Sequence, residues 1–149
     1  VARFRFQLET LCRMREMTRD ELRARLAEAY QAEQILGAQQ AAVGAEIAAL
    51  NETRRQVMAA GAVDVTRLVE AQRYQLLLEA QRRTLADQAS RLADEVEARR
   101  QAVVEADRQV RILEKLRERR QRQHRAAEQA AEAKRLDELA ASRWEAAKR

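Results

Sequence analysis

The chain is 149 residues long and 36% charged, with 29 Lys and Arg against 24 Asp and Glu for a formal net charge of +5; it has no proline, three glycines, one cysteine and 3% aromatics. Average usage of roughly 5% proline would place about seven in such a chain, so its absence argues against a turn-rich fold, and so few aromatics cannot fill a globular core of this size. A lone cysteine excludes an intrachain disulfide, and the longest apolar run, residues 57–63, is far short of the roughly 18 residues that span a bilayer.

The first element is set by period. Apolar residues recur every three or four positions from Phe4 through Leu8, Leu11, Arg15, Thr18, Leu22, Leu26, Ala29, Leu36, Val43, Ile47, Leu50 and Arg54 to Val57, with a poorly defined step at Ala32 or Glu33. That spacing predicts a helix over about 4–59 with a coiled-coil seam. Two steps are four plus four, which predicts local unwinding of the supercoil near residues 22–29 and 39–47. Cys12 falls between seam positions and reads as a small helix-surface residue. The basic N-terminal stretch leads into this helix without a signal-like apolar block, so the chain reads as cytosolic.

The rhythm breaks once, at Ala60-Gly61-Ala62-Val63-Asp64. Gly61 suits a left-handed position after a helix, Asp64 can cap the next one, and Val63 with Leu68 can form a hydrophobic staple across that cap. The turn is therefore placed at residues 60–64.

A second helix is predicted over about 65–147. Its seam reads Leu68, Ala71, Gln75, Leu78, Arg82, Leu85, Ala89, Leu92, Val96, Arg99, Val103, Ala106, Val110 and Leu113. Folding the two seams at the gap pairs positions whose numbers sum to about 125, so that Val57 faces Leu68, Leu36 faces Ala89, Ala29 faces Val96, Leu22 faces Val103 and Leu11 faces Leu113. The expected fold is all-α: one long two-helix antiparallel coiled-coil hairpin, on the order of 80 Å at 1.5 Å per residue. Arg15, Arg25 or Leu26, Arg54, Gln75, Arg82 and Arg99 sit at or beside the seam, where a long charged side chain must snorkel. Such layers either specify register or let the hairpin bend or open.

If Phe4 lies opposite about residue 121, residues 122–149 lack an intrachain partner and form a C-terminal helical overhang. Leu136, Leu139 and Trp144 are its large apolar groups, and a helix of this kind is marginal when free.

Charge is uneven along the chain. Residues 1–28 hold seven basic and five acidic side chains, residues 29–107 nine and twelve, and residues 108–149 thirteen and seven, for nets of +2, −3 and +6. Between Arg111 and Arg125 seven Arg or Lys meet two Glu. Such a run reads as a solvated helical face, a protein-docking face or a nucleic-acid footprint. Against nucleic acid, no aromatics are interleaved with the basic run and no zinc or zipper-plus-basic-region pattern is present. Catalysis fares worse: His124 is the sole histidine, with no phosphate loop, no metal-ligand spacing and no nucleophile beside a base. No enzyme activity, cofactor or metal is expected.

Four phrases then stand out in order: Phe4-Arg5-Phe6-Gln7-Leu8-Glu9-Thr10-Leu11, Tyr74-Gln75-Leu76, Leu113-Glu114-Lys115-Leu116-Arg117-Glu118-Arg119 and Lys134-Arg135-Leu136-Asp137-Glu138-Leu139-Ala140. Together they resemble the FliJ family of flagellar type III export, across the whole chain. The resemblance implies a stalk-like coiled coil without catalysis, which binds the hexameric export ATPase FliI, engages the export gate FlhA and handles export chaperones at the cytoplasmic face of the inner membrane. It also implies an ATPase-facing end at the paired termini, formed by Phe4, Phe6, Leu8, Leu11, Leu113, Leu116, Arg117, Arg119 and Arg120. Of these, Phe6, Arg119 and Arg120 are expected off the seam. Tyr74 and Leu77 lie off the seam used by Ala71, Gln75 and Leu78, and are expected to form a gate-contacting surface with no intrachain duty. The stalk protein of a virulence injectisome and a nucleic-acid-binding coiled coil are the alternatives.

Overall fold

The computed structural model describes residues 4–61 and 64–148. Two long helices, α1 (Glu9–Ala59) and α2 (Val65–Ala147), run antiparallel and pack against each other, with no strand among the described residues. The absence of proline lets both helices run without a break. The chain divides into two compact units, one of Glu21–Val103 and one of Val1–Asp20 with Val104–Arg149.

In the unit of Glu21–Val103, the core is the seam itself. Leu36, Val43 and Leu85 are buried together, with Ile47, Ala89 and Leu92 packed on them. Ala29 and Leu78 are the most enclosed, each 2% exposed. Pairing is fixed by cross-helix bonds: Gln40 Nε2 donates to the Leu85 carbonyl at 3.4 Å, Arg54 Nη1 to Gln75 Oε1 at 3.1 Å, and Arg99 Nη1 to the Arg25 carbonyl at 2.6 Å. Each of these pairs has residue numbers summing to within a few of 125, as a fold-back at the glycine gap requires.

The shielded positions of α1 in this unit run Leu22, Leu26, Ala29, Leu36, Gln40, Val43, Ile47, Leu50 and Arg54. These keep the four-three alternation, so the four-plus-four steps expected near residues 22–29 and 39–47 are not present. The reasons are Arg19, shielded in place of Thr18 ahead of Leu22, and Gln40, both polar residues at seam positions that a search for apolar letters passes over. Neither Ala32 nor Glu33 is shielded, and Val57 and Arg82 are also exposed. One layer is thus missing in the middle of α1, and its side chains face water.

The chain reversal is closed by backbone chemistry. Gly61 takes φ 75°, the left-handed region that costs a side-chain-bearing residue about 1–2 kcal/mol. Ahead of it the Ala60 and Gly61 N–H groups donate to the Gln56 and Met58 carbonyls at 3.2 and 3.4 Å, satisfying two carbonyls at the end of α1. Asp64 caps α2, its Oδ1 accepting from the Thr66 and Arg67 N–H groups at 2.9 and 3.5 Å. The expected Val63 staple lies outside the described residues.

In the other unit, α1 begins at Glu9, later than the Phe4 start that the period predicts. Residues 4–6 are non-helical and the Glu9 N–H donates to the Phe6 carbonyl at 3.2 Å. Leaving the helix frees Phe6 from the 3.6-residue spacing, and its ring is buried to 8% exposure. Burying a phenyl ring contributes about 1.5–3 kcal/mol, more than two or three marginal helical residues supply. Here too the seam is displaced by one: Cys12 is buried and Arg19 shielded, whereas Leu11, Arg15 and Thr18 are exposed. Cys12 is therefore a seam residue and not a surface one. Its smaller side chain lies where the two helices approach, and the longer Leu11 sits at the edge of the seam, 37% exposed.

Candidate protein-docking surface

The unit of Val1–Asp20 and Val104–Arg149 brings most of the expected terminal residues together. Phe4 meets His124 edge to face, with ring centroids 5.6 Å apart and planes at 65°. The Arg120 guanidinium lies 5.9 Å from the centre of the Phe6 ring, a cation–π distance. Arg117 Nη1 is 3.5 Å from Glu9 Oε2, and Arg19 Nε is 3.9 Å from Asp107 Oδ1. Leu8, Leu113 and Leu116 are half-buried, and Val110 is buried at 4% exposure.

These contacts change what the terminal residues can do. Phe6 and Arg120 hold each other, so neither is free of the fold, contrary to their expected off-seam placement. Arg117 is committed to Glu9 on α1. Arg119 is exposed and makes no ion pair among the described residues, and Leu11 is 37% exposed rather than locked in the seam. Residues around Phe4, Phe6, Glu9, Arg13 and Arg117 line an open groove with no enclosed cavity.

The Cys12 thiol illustrates the local electrostatics. Burial pushes its pKa up, and the nearby carboxylates of Glu9 and Glu16 push the same way against a smaller opposing effect of Arg117. A thiol held protonated is a poor nucleophile and a poor metal ligand. No cluster of three or more His, Cys, Asp or Glu suited to a metal ion occurs among the described residues.

Tyr74 and Leu77 are 46% and 63% exposed, with Leu76 also open at 57%. Tyr74 nevertheless has an intrachain partner: its hydroxyl donates to Glu46 Oε2 on α1 at 2.8 Å. That bond, reinforced by the Glu46 charge, raises the phenol pKa. The expectation that Tyr74 has no duty within the chain is therefore wrong, because the phenol is long enough to cross from an off-seam position to the facing helix.

Beyond His124 the second helix continues to Ala147 with every side chain from residue 131 to 148 exposed. Leu136, Leu139 and Trp144 are 60%, 57% and 66% exposed, and only Lys148 Nζ, 5.3 Å from the Trp144 ring centre, covers any of them. The overhang is as expected, but its pairing with the N-terminal segment reaches His124, slightly further than the sequence spacing places it.

The architecture joins two α-helices in a seam, a basic run and an unpartnered tail, and one comparison decides among its interpretations: a model described as flagellar FliJ protein matches residues 4–149. The chain belongs to the FliJ family. No curated protein and no solved structure matches it. Membership in the FliJ family marks it as a component of flagellar export, in a family that is not catalytic. No helix among the described residues is long and apolar enough to cross a membrane.

Sequence reasoning missed Glu9, Cys12 and His124 as members of the terminal cluster. His124 could have been found by extending the pairing rule past the last leucine. Cys12 could have been found by holding the heptad count strictly and accepting whichever residue fell on it.

Proposed function

We propose that this FliJ-family chain is a non-enzymatic stalk of the flagellar export apparatus that binds the hexameric export ATPase FliI and promotes its assembly or turnover. The observation that carries the reading is the concentration of exposed cations on α2 between Arg111 and Arg125, next to the N-terminal segment that Phe4, Phe6 and Glu9 hold in place. Such a surface is drawn to a negatively charged partner at long range, and a smooth helix can be gripped at several angles.

The ATPase-facing residues in this reading are Phe4, Phe6, Leu8, Leu11, Leu113, Leu116, Arg117, Arg119 and Arg120. Contact with the export gate FlhA is assigned to Tyr74 and Leu77, and export chaperones are further partners. The protein works in the cytoplasm and reaches the inner membrane through these partners alone.

Mixing the purified chain with the export ATPase tests this reading. The expected result is a larger hexameric fraction and faster ATP turnover. No change in either quantity over a wide concentration range overturns it. Arg119→Glu is the informative single variant, because Arg119 has no ion pair to lose among the described residues, whereas Arg117 pairs with Glu9 and Arg120 lies against the Phe6 ring.

A further inference from the structure

The basic side chains of α2 are not equivalent once the seam is located. Val103, Ala106, Val110, Leu113 and Arg120 are shielded, which places Val104, Arg108, Arg111, Ile112, Lys115 and Arg119 on the side of α2 turned away from α1. Val104 and Ile112 are 62% and 56% exposed there, and with Arg108, Arg111 and Lys115 they line one shallow groove. The carboxylate that also lines it, Asp107, is turned to Arg19 at 3.9 Å. Arg108 has only a distant pairing with Glu105, 3.9 Å, and Arg111, Lys115 and Arg119 have no ion pair among the described residues.

We infer that the docking surface extends beyond the paired termini onto this outer face of α2, and that the face takes an acidic protein surface carrying a small apolar knob that seats between Val104 and Ile112. This rests on the reading above that the export ATPase is the partner. The chemistry is one of charge complementarity: unpaired guanidinium and ammonium groups on a rigid helix attract carboxylates, and the two aliphatic side chains supply an apolar contact that fixes the register. A protein fits better than a nucleic acid. Glu105 and Glu118 interrupt the stripe, and no aromatic side chain lies on it to stack on a base.

Affinity of the full chain for the purified ATPase, measured across a salt series, tests the inference. The triple reversal R111E/K115E/R119E should weaken binding roughly tenfold, from three exposed charge pairs lost together, and should flatten its salt dependence. The matched reversal R73E/R83E/R91E, on outward positions of the same helix in the other unit, should leave affinity within about twofold. Ile112→Ser should weaken binding without altering the salt slope. Neutral R111Q/K115Q/R119Q should show a smaller loss in the same direction, which guards against a folding defect in the reversed variant.

Unchanged binding by the triple variant, an equal loss in the matched control, or lost affinity for single-stranded nucleic acid with ATPase binding intact overturns the assignment. If the unaltered chain does not bind the ATPase at all, the functional reading falls and this surface with it. If it binds, and substitutions at Phe4 or Leu8 weaken it while those on the outer face do not, only the surface assignment falls.

Discussion

Gln40 of α1 reaches across the seam to Leu85 of α2, its Nε2 donating to the backbone carbonyl at 3.4 Å, in a layer where Leu36, Val43 and Leu85 are buried. A polar side chain at a seam position specifies register at a cost in stability. The bond is long, so it returns little of what burying the amide costs. Gln40→Leu should therefore stabilise the protein by about 1 kcal/mol, read as a higher urea midpoint with unchanged slope. A lower midpoint would show that the amide is needed for more than register.

Cys12 and Leu11 give opposite outcomes to what a hydrophobicity ranking suggests. Leu11→Ala, at a site 37% exposed, should cost about 1 kcal/mol. Cys12→Asp, which buries a carboxylate in the seam, should cost about 3 kcal/mol or more. Thermal melting of the two variants separates them. Thiol labelling of the native chain should be slow and should accelerate sharply in denaturant, because burial both shields the sulfur and holds it protonated.

The reversal between the helices depends on backbone preference and one cap. Space is open around Gly61, with nothing within 4 Å of an added Cβ, so Gly61→Ala should cost about 1 kcal/mol from its φ alone. Gly61→Asn should cost less and Gly61→Val more, since asparagine tolerates this region and a β-branched residue does not. Asp64→Ala should cost a further 1 kcal/mol or so by uncapping α2. A denaturation series on these variants checks the order.

Tyr74 should titrate above the ordinary phenol range. Its folded pKa is raised by the hydrogen bond to Glu46, so the contribution of that bond is fully present below the unfolded phenol pKa and is lost as pH rises through the folded one. In a Tyr30→Phe background, ultraviolet titration should show one late-ionising phenol, and Glu46→Ala should bring it back toward the usual value. An unchanged midpoint in Glu46→Ala would remove the bond from solution.

Trp144 is the only tryptophan and is 66% exposed on the overhang. Its emission should be that of a water-exposed indole in the native chain and should barely shift on unfolding. Truncation after residue 130 should leave the melting temperature within about 2 °C, since the side chains described there, residues 131–148, are all exposed. A blue-shifted native emission would show that the overhang is covered.

Period, the absence of proline and the isolated Gly61 are local properties, and they determined the two helices, the reversal, the pairing of residue numbers near 125 and the unpartnered tail. Family membership was legible too, in four phrases whose order spans the chain. What the letters could not reveal was the phase of the seam through residues 11–19 and at position 40. Cys12, Arg19 and Gln40 take seam positions because the partner helix shields them there, although their side chains do not announce it. The same holds for Phe6, Arg120 and Tyr74, whose duties come from groups distant in the chain. A helix places side chains by spacing alone, but which face is inside is decided by what packs against it, and only the tertiary structure brings Phe6 to Arg120, Tyr74 to Glu46 and leaves Arg111, Lys115 and Arg119 on the outer side of α2.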